Sequence, residues 1–549
     1  MKKFVIGLDF GTESARAVLV NTSNGEIIST AVHQYEDGVI DEVLPIGEVM
    51  LPPHWALQNP DNWLAAVRIT ISKIMKESGL QAELIVGLGV DFTACTVLPA
   101  MLDGTPLNNL EKHRYNPHAW AKLWKHHGAQ SQADRVNKVA EDINESWLPR
   151  YGGKVSSEWL LPKALEVLEQ APEIYQETKY FVEGADWLIW QLTGKLVRNA
   201  CCAGYKGTWH KQDGFPKADF LKALHPGLGD LFSEKVSGVV LAPGECVAGL
   251  SEEWAKKLGL SAGLPVAAAI IDAHSAAIGG GVCEAGTMFM IMGTSTCHML
   301  MAQEEVLIEG ISGVVEDGII PGLYGYEAGQ AGVGDIFAWF VEHNIPAVYQ
   351  KEAETQSISI HDLLSEKASD LKPGQSGLLA LDWWNGCRTP LVDAELSGVI
   401  LGYTLNTKPE EIYRALIEAT AFGTRLIIEL FKEGGVPVNK LIAGGGLTKN
   451  NLLLQIYADS IGLPIEIAAS PLSSALGAAI LASVSGDVYT SIHEAVQNMV
   501  APPAKIIVPN QENHLIYSQL YKIYRELVDQ LGRDEESPLK KLNTIKRVY

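Results

Sequence analysis

Two stretches about half a chain length apart share one design, and that repetition limits what this sequence can fold into. Phe4-Val-Ile-Gly-Leu-Asp-Phe-Gly-Thr-Glu-Ser-Ala-Arg-Ala-Val-Leu-Val20 consists of two apolar, strand-like runs joined by a polar tip of Asp9, Gly11, Thr12, Glu13 and Ser14. Thr287-Met-Phe-Met-Ile-Met-Gly-Thr-Ser-Thr-Cys-His-Met-Leu-Met301 is again strand, Gly-Thr-Ser tip, strand. Glycine lacks the Cβ that blocks approach, so such a tip can bring backbone N–H groups and hydroxyls up to phosphate oxygens. A carboxylate beside it can hold a magnesium ion, directly or through water. A third glycine turn, Leu441-Ile-Ala-Gly-Gly-Gly-Leu-Thr-Lys-Asn450, leaves an apolar strand and enters a helical pattern at Leu453, Ile456, Tyr457 and Ile461, so a helix N-terminus faces it. Three glycine turns in two similar halves suit a nucleotide held in a cleft between domains.

A chain of 549 residues exceeds what one core supports, and two domains are expected, 1–280 and 281–549, meeting in the glycine-rich segment that ends Leu264–Gly281. Against 65 acidic residues there are 43 basic ones, a formal charge of −22, which excludes a nucleic-acid binder relying on a concentrated basic face. Any phosphorylated ligand must be held by local donors and metal. Seven cysteines without a C-x-x-C pair indicate neither a disulfide framework nor a zinc site and point to a reducing, cytoplasmic setting. Because the first strand starts at once, no secretory leader is expected, and no membrane span either: the most apolar run, 264–281, is broken by Asp272 and His274. No G-x-x-x-x-G-K-[ST], G-x-G-x-x-G or H-E-x-x-H occurs.

Between these landmarks the spacing predicts a helix over 60–75 (Trp63, Val67, Ile71, Ile74) and a buried strand over 84–90, whose end at Asp91-Phe-Thr-Ala-Cys95 is a candidate substrate edge. Residues 111–235 are helix-rich, and their tryptophans, Trp124 among them, are read as packing. Cys201–Trp209 reads as a loop carrying a solvated Lys206. Asp272 reads as an N-cap before a small-residue helix. A capping box at Thr407–Glu410 opens a long helix, 473–484 suits a helix packed tightly on a sheet, and 511–531 is an amphipathic helix with Leu515, Leu520, Tyr524, Leu527 and Leu531 inward; the charged tail from Arg533 is peripheral.

Asp9-Phe-Gly-Thr, Met292-Gly-Thr-Ser and Ala443-Gly-Gly-Gly resemble, in order and spacing, the two phosphate motifs and the adenosine motif of the sugar-kinase, actin and heat-shock-chaperone ATPase superfamily. Within it the chain resembles the FGGY carbohydrate kinases from about residue 4 to about residue 530, and Gly89–Val97, Ile271–His274, Gly325–Gln330 and Leu381–Gly386 are similar to that family's ribulokinase branch. The resemblance implies an α/β protein of two ribonuclease-H-like domains with an interdomain cleft. It also implies transfer of phosphate from ATP, with Mg2+, to O5 of L-ribulose, and of D-ribulose too, as in L-arabinose catabolism.

By the same resemblance Asp272 is the base, and Ala94, Lys206, Asp272 and Glu327 contact the sugar. Asp9 engages magnesium; Thr12, Glu13, Ser14, Arg16, Gly293 and Thr294 serve the phosphates; Gly334, Gly446 and Asn450 serve the adenosine. Glycerol kinases carry an Arg-Glu pair where this chain has Ala94-Cys95, which disfavours glycerol. If Asp272 caps its helix, the dipole favours its ionised form and weakens it as a base. The alternatives are a kinase for another ketose, such as xylulose or rhamnulose, and an actin-like or chaperone-like ATPase. Oligomeric state stays open, a homodimer among the options.

Overall fold

The computed structural model describes residues 2–534 and 536–546. Two mixed sheets carry the molecule, and they have the same strand order. In the first, Phe4–Phe10 pairs antiparallel with Ser14–Asn21, which pairs antiparallel with Ile27–Gln34; on its other side Phe4–Phe10 runs parallel to Ile85–Phe92, followed by Pro265–Ala267 and antiparallel Cys246–Gly249. In the second, Thr287–Met292, Thr296–Ala302 and Tyr324–Gln330 repeat the antiparallel meander, with Lys440–Gly444 and Ile465–Ile467 parallel on the other side and Lys505–Ile507 antiparallel at the edge. Gly313–Glu316 adds one outer strand. Such duplicated order is the two similar halves that the repeated hairpins suggest, in the ribonuclease-H-like pattern that the family resemblance implies.

Local chemistry explains the framing helices. Pro60–Ser78 starts behind Asn59, whose side chain accepts from the Asp61 N–H, has proline at its first position, and ends at Gly79 with φ 64°. Its Trp63, Val67, Ile71 and Ile74 are fully buried, each worth about 1.5–3 kcal/mol of apolar burial, and Trp63 meets Phe92 edge-on where Phe92 stacks on Phe10. The long helix Pro409–Glu433 begins one residue later than its expected cap: Lys408 is the boundary residue, and the Glu411 carboxylate accepts its N–H at 2.7 Å. In Gln511–Val528 the buried face is Tyr517, Tyr521, Tyr524 and Val528, while Leu515 is exposed. The buried Asp382 and Arg414 explain this choice, because Tyr524 and Tyr517 reach them with phenolic oxygens that leucine lacks. The tail forms the helix Pro538–Lys546; Glu535 lies outside the described residues.

Two helices join the lobes. Asp272–Gly279 ends the first half, and Ser473–Ser485 comes from the second half yet lies on the first sheet. A Cβ on Gly89 would stand 2.0 Å from the Ala478 carbonyl oxygen, and one on Gly477 2.0 Å from that of Ser275, so the strand and both helices touch backbone to backbone. Their apolar sides share one core with Val5, Val18, Phe289, Met299 and Ile442, drawn from both sheets. Among the described residues no helix is long and apolar enough to cross a membrane, and all seven cysteines are free.

Candidate active site

Each hairpin tip is closed by a backbone bond from its glycine: Gly11 N–H donates to the Ser14 carbonyl three residues on, and Gly293 N–H to that of Ser295 two residues on, both at 2.9 Å. Around the first tip the Tyr35 hydroxyl donates to the Gly11 carbonyl, Gln58 Nε2 donates to the Thr12 carbonyl, and Trp124 Nε1 donates to Thr12 Oγ1 at 3.0 Å. Trp124 is 39% exposed, so this tryptophan, read from sequence as packing, stands at the site instead. Glu13 is exposed and Ser14 half-buried at the tip. On the strands below, Arg16 Nη1 lies 3.2 Å from Asp9 Oδ2. Burial raises the Asp9 carboxyl above its usual range, with Asp91 and Arg16 opposing.

The second tip gathers the remaining glycine turns. Gly334 N–H donates to the Gly293 carbonyl at 3.0 Å and Val333 N–H to that of Thr294 at 2.8 Å. Gly445, with φ 95°, leaves room for a Cβ only 2.5 Å from the Met292 oxygen, whereas Gly446 faces open space, and Thr294 is exposed. Asn450 caps the helix Asn451–Ile461 through Oδ1 and donates from Nδ2 to Ser365 Oγ.

Between the lobes sits a buried ionic group. Lys206 is on the short helix Ala200–Gly207, not in a solvated loop; it is only 7% exposed, and its Nζ lies 2.9 and 3.0 Å from the two oxygens of Glu327 on the strand Tyr324–Gln330. Helix formation follows from Asn199, whose side chain caps Cys202 N–H at 2.7 Å. Arg388 also bonds Glu327, and His274 stands 3.5 Å away. Burial pushes the Glu327 carboxyl up, but Lys206, Arg388 and His274 outweigh it and hold it at about 2. The same burial works against the Lys206 charge, and Glu327 outweighs it, leaving the ammonium above its usual range. Burial lowers His274 to about 4, so its ring is neutral near pH 7.

Asp272 lies beside this group as the first residue of its helix rather than its cap: Ile271 is the boundary residue, and Asp272 Oδ1 accepts the Ala273 N–H at 2.6 Å. Burial pushes its carboxyl to about 7, with Asp9 and Glu327 adding to the rise and the Ala273 N–H and Lys206 opposing it. Desolvation therefore defeats the helix dipole, and Asp272 has the affinity of a base working near neutrality rather than a weakened one. Ala94 is half-buried in the turn after Ile85–Phe92, where Cys95 takes φ 57° and Lys163 Nζ donates to its carbonyl at 2.6 Å.

Asp9, Thr12 and Arg16 thus share the first tip, Gly293, Thr294, Gly334 and Gly446 the second, and the Lys206–Glu327 pair spans the two lobes beside Asp272. Trp124, Arg388 and Lys163 were not legible from spacing, although Arg388 closely follows the quoted Leu381–Gly386 stretch.

Comparison with known proteins identifies the family. The pattern of the FGGY family of carbohydrate kinases matches in two pieces, its N-terminal domain over residues 4–279 and its C-terminal domain over residues 288–486. The ribulokinase of Halalkalibacterium halodurans is 50% identical over 551 residues, covering 100% of this chain and 98% of that protein. That of Mycolicibacterium smegmatis is 46% identical, covering 97% and 94%. Among solved structures, xylulose kinase from Rhodospirillum rubrum superposes with a TM-score of 0.80 at 21% identity, covering 96% of this chain and 98% of that one. Plasmodium falciparum glycerol kinase with ADP gives 0.76 at 17%, covering 96% and 98%; likenesses at such identities show the fold. Since both hairpins, the connecting helix and the third glycine turn fall inside the matched segments, the chain belongs to the FGGY family of carbohydrate kinases.

Proposed function

We propose that this chain transfers the γ-phosphate of ATP to O5 of ribulose, L-ribulose above all and D-ribulose as well, in the cytoplasm. The observation that carries the substrate is the 50% identity, over the whole chain, with a protein named ribulokinase. The geometry supports the chemistry. Phosphoryl transfer needs a positioned hydroxyl, neutralised phosphate charge and little else. Asp272, with its carboxyl near 7, is suited to orient the O5 hydroxyl and accept its proton. Lys206, Glu327 and Arg388 present donors and acceptors that are already ordered, and such a rigid polar set rejects sugars lacking the matching hydroxyls.

The nucleotide reading places phosphates between the tips of Thr12, Glu13, Ser14 and of Gly293, Thr294, with Arg16 adding positive charge. Adenosine then lies along Gly334, Gly446 and Asn450. Asp9 fits a magnesium ion, because its carboxylate sits beside the first tip with a single hydrogen-bonding cation, Arg16, on one oxygen. Bound there, magnesium supplies positive charge to the β- and γ-phosphates. The test is a panel of ketoses with ADP release as the readout. L-ribulose is expected to give the highest kcat/KM, and a preference for xylulose or rhamnulose would overturn the assignment.

A further inference from the structure

We infer that Asp91 is the second carboxylate of the divalent-cation seat beside Asp9, which leaves Asp272 to the acceptor hydroxyl. The inference rests on the nucleotide reading above. In the parallel pair of Phe4–Phe10 and Ile85–Phe92, Asp9 and Asp91 are register partners, so both side chains project from the same face of the sheet. That face is covered by the helix Ser473–Ser485, which touches the strand at Gly89, two residues earlier. Asp91 has no exposed surface; no N–H or O–H donor reaches either of its oxygens, and the polar groups beside it are the Asp9 carboxyl and the Ser275 hydroxyl.

A buried carboxylate left unpaired costs several kcal/mol, so one kept for stability comes with a donor. Here the neighbouring donors are committed elsewhere. Arg16 points to Asp9, and the Ser275 hydroxyl beside Asp91 donates to the Ser474 carbonyl at 2.7 Å. Asp9, Asp91 and Asp272 together bring three carboxylates to one end of the sheet, where Arg16 pairs with Asp9 and Lys206, already bound to Glu327, acts on Asp272. Paired carboxylate oxygens with no proton donor are the ligand set of a hard divalent cation, met directly or through water.

The pairing is selective. Among the described residues the only three metal-binding side chains whose ligand atoms lie within 4.8 Å of one another are Cys283, Glu284 and His493. Asp9, Asp91 and Asp272 therefore do not converge on one point, and a cation shared by the first two leaves the third free.

The test titrates Mn2+ into the full chain saturated with ADP and reads bound Mn2+ by electron paramagnetic resonance, for wild type, Asp91→Asn and Asp91→Ser. Both variants should weaken Mn2+ binding by ~10- to 100-fold, the range for groups that tune a metal site, while ADP affinity in EDTA stays unchanged. Their melting temperatures should match or exceed that of wild type, since each removes a fully buried carboxyl that faces the carboxyls of Asp9 and Asp272. Wild-type Mn2+ affinity in the folded variants would overturn the inference and make Asp91 a proton-holding neighbour of Asp9. Failure of the wild type to bind ADP would instead sink the nucleotide reading itself.

Discussion

The two hairpins share a strand, glycine tip, strand design and differ in almost everything around it. Beside the first tip stand Asp9, Arg16 and Asp91, and three side chains, Tyr35, Gln58 and Trp124, brace it from outside. The second is flanked by methionine-rich strands and by the bare backbones of Gly334 and Gly445, and among the described residues no ion pair stands at its tip. One duplicated device has thus been specialised by its surroundings: a charged tip beside the reacting groups, and a neutral one lined with N–H and hydroxyl groups. Phosphate oxygens between them meet charge on one side and directional donors on the other.

The sharpest way to break this contrast is on the charged side. Asp272→Asn should lower kcat by ~10²- to 10⁴-fold with ADP affinity intact, measured by coupled ADP release and calorimetry. Because the base works deprotonated and its carboxyl sits near 7, wild-type kcat/KM should rise about tenfold per pH unit below that value and level above it. The residual rate of the variant should lack that limb.

Next in size is the bridge between the sides. Glu327→Gln leaves Lys206 and Arg388 without their shared carboxylate and should cost ~3–5 kcal/mol of stability in chemical denaturation, together with a raised KM for the sugar. Gly334→Ala tests the neutral side, since its Cβ would stand 2.7 Å from the Gly293 carbonyl oxygen. Overpacking of ~1–3 kcal/mol should appear as weaker nucleotide binding with sugar binding unaffected. Smallest is Asn450→Ala, which removes a helix cap worth about 1 kcal/mol and should lower ADP affinity only severalfold. If Gly334→Ala instead impaired sugar binding, the division of labour between the tips would be wrong.

Features with a local signature were readable before any coordinates. Alternation of apolar residues and glycine tips located both hairpins, periodicity located Pro60–Ser78 to within a few residues, a capping pattern marked the start of Pro409–Glu433, and small-residue composition located Ser473–Ser485. What escaped depends on partners distant in sequence. Lys206 looks solvated until Glu327 on a strand of the other lobe is brought to it, and Arg388 joins that pair with no spacing that could announce it. Asp272 looked like a dipole-stabilised cap because local rules place Asp at helix starts. Burial reversed the expected shift, and burial belongs to the whole fold. Ala94, Lys206 and Glu327 became candidates only through family likeness. The helix-facing alanines and glycines of 473–484 indicated tight packing on a sheet without indicating which one.

That last helix has a consequence for how the chain is made. Residues that cover the first sheet emerge from the ribosome only after nearly nine-tenths of the protein has been synthesised. Until then the groove formed by Val5, Gly7, Gly87 and Gly89 waits uncovered, and the earlier lobe cannot close its interior alone. A cut near residue 280 should therefore yield an aggregating fragment rather than a free-standing half, and adding the severed portion back in trans should restore solubility.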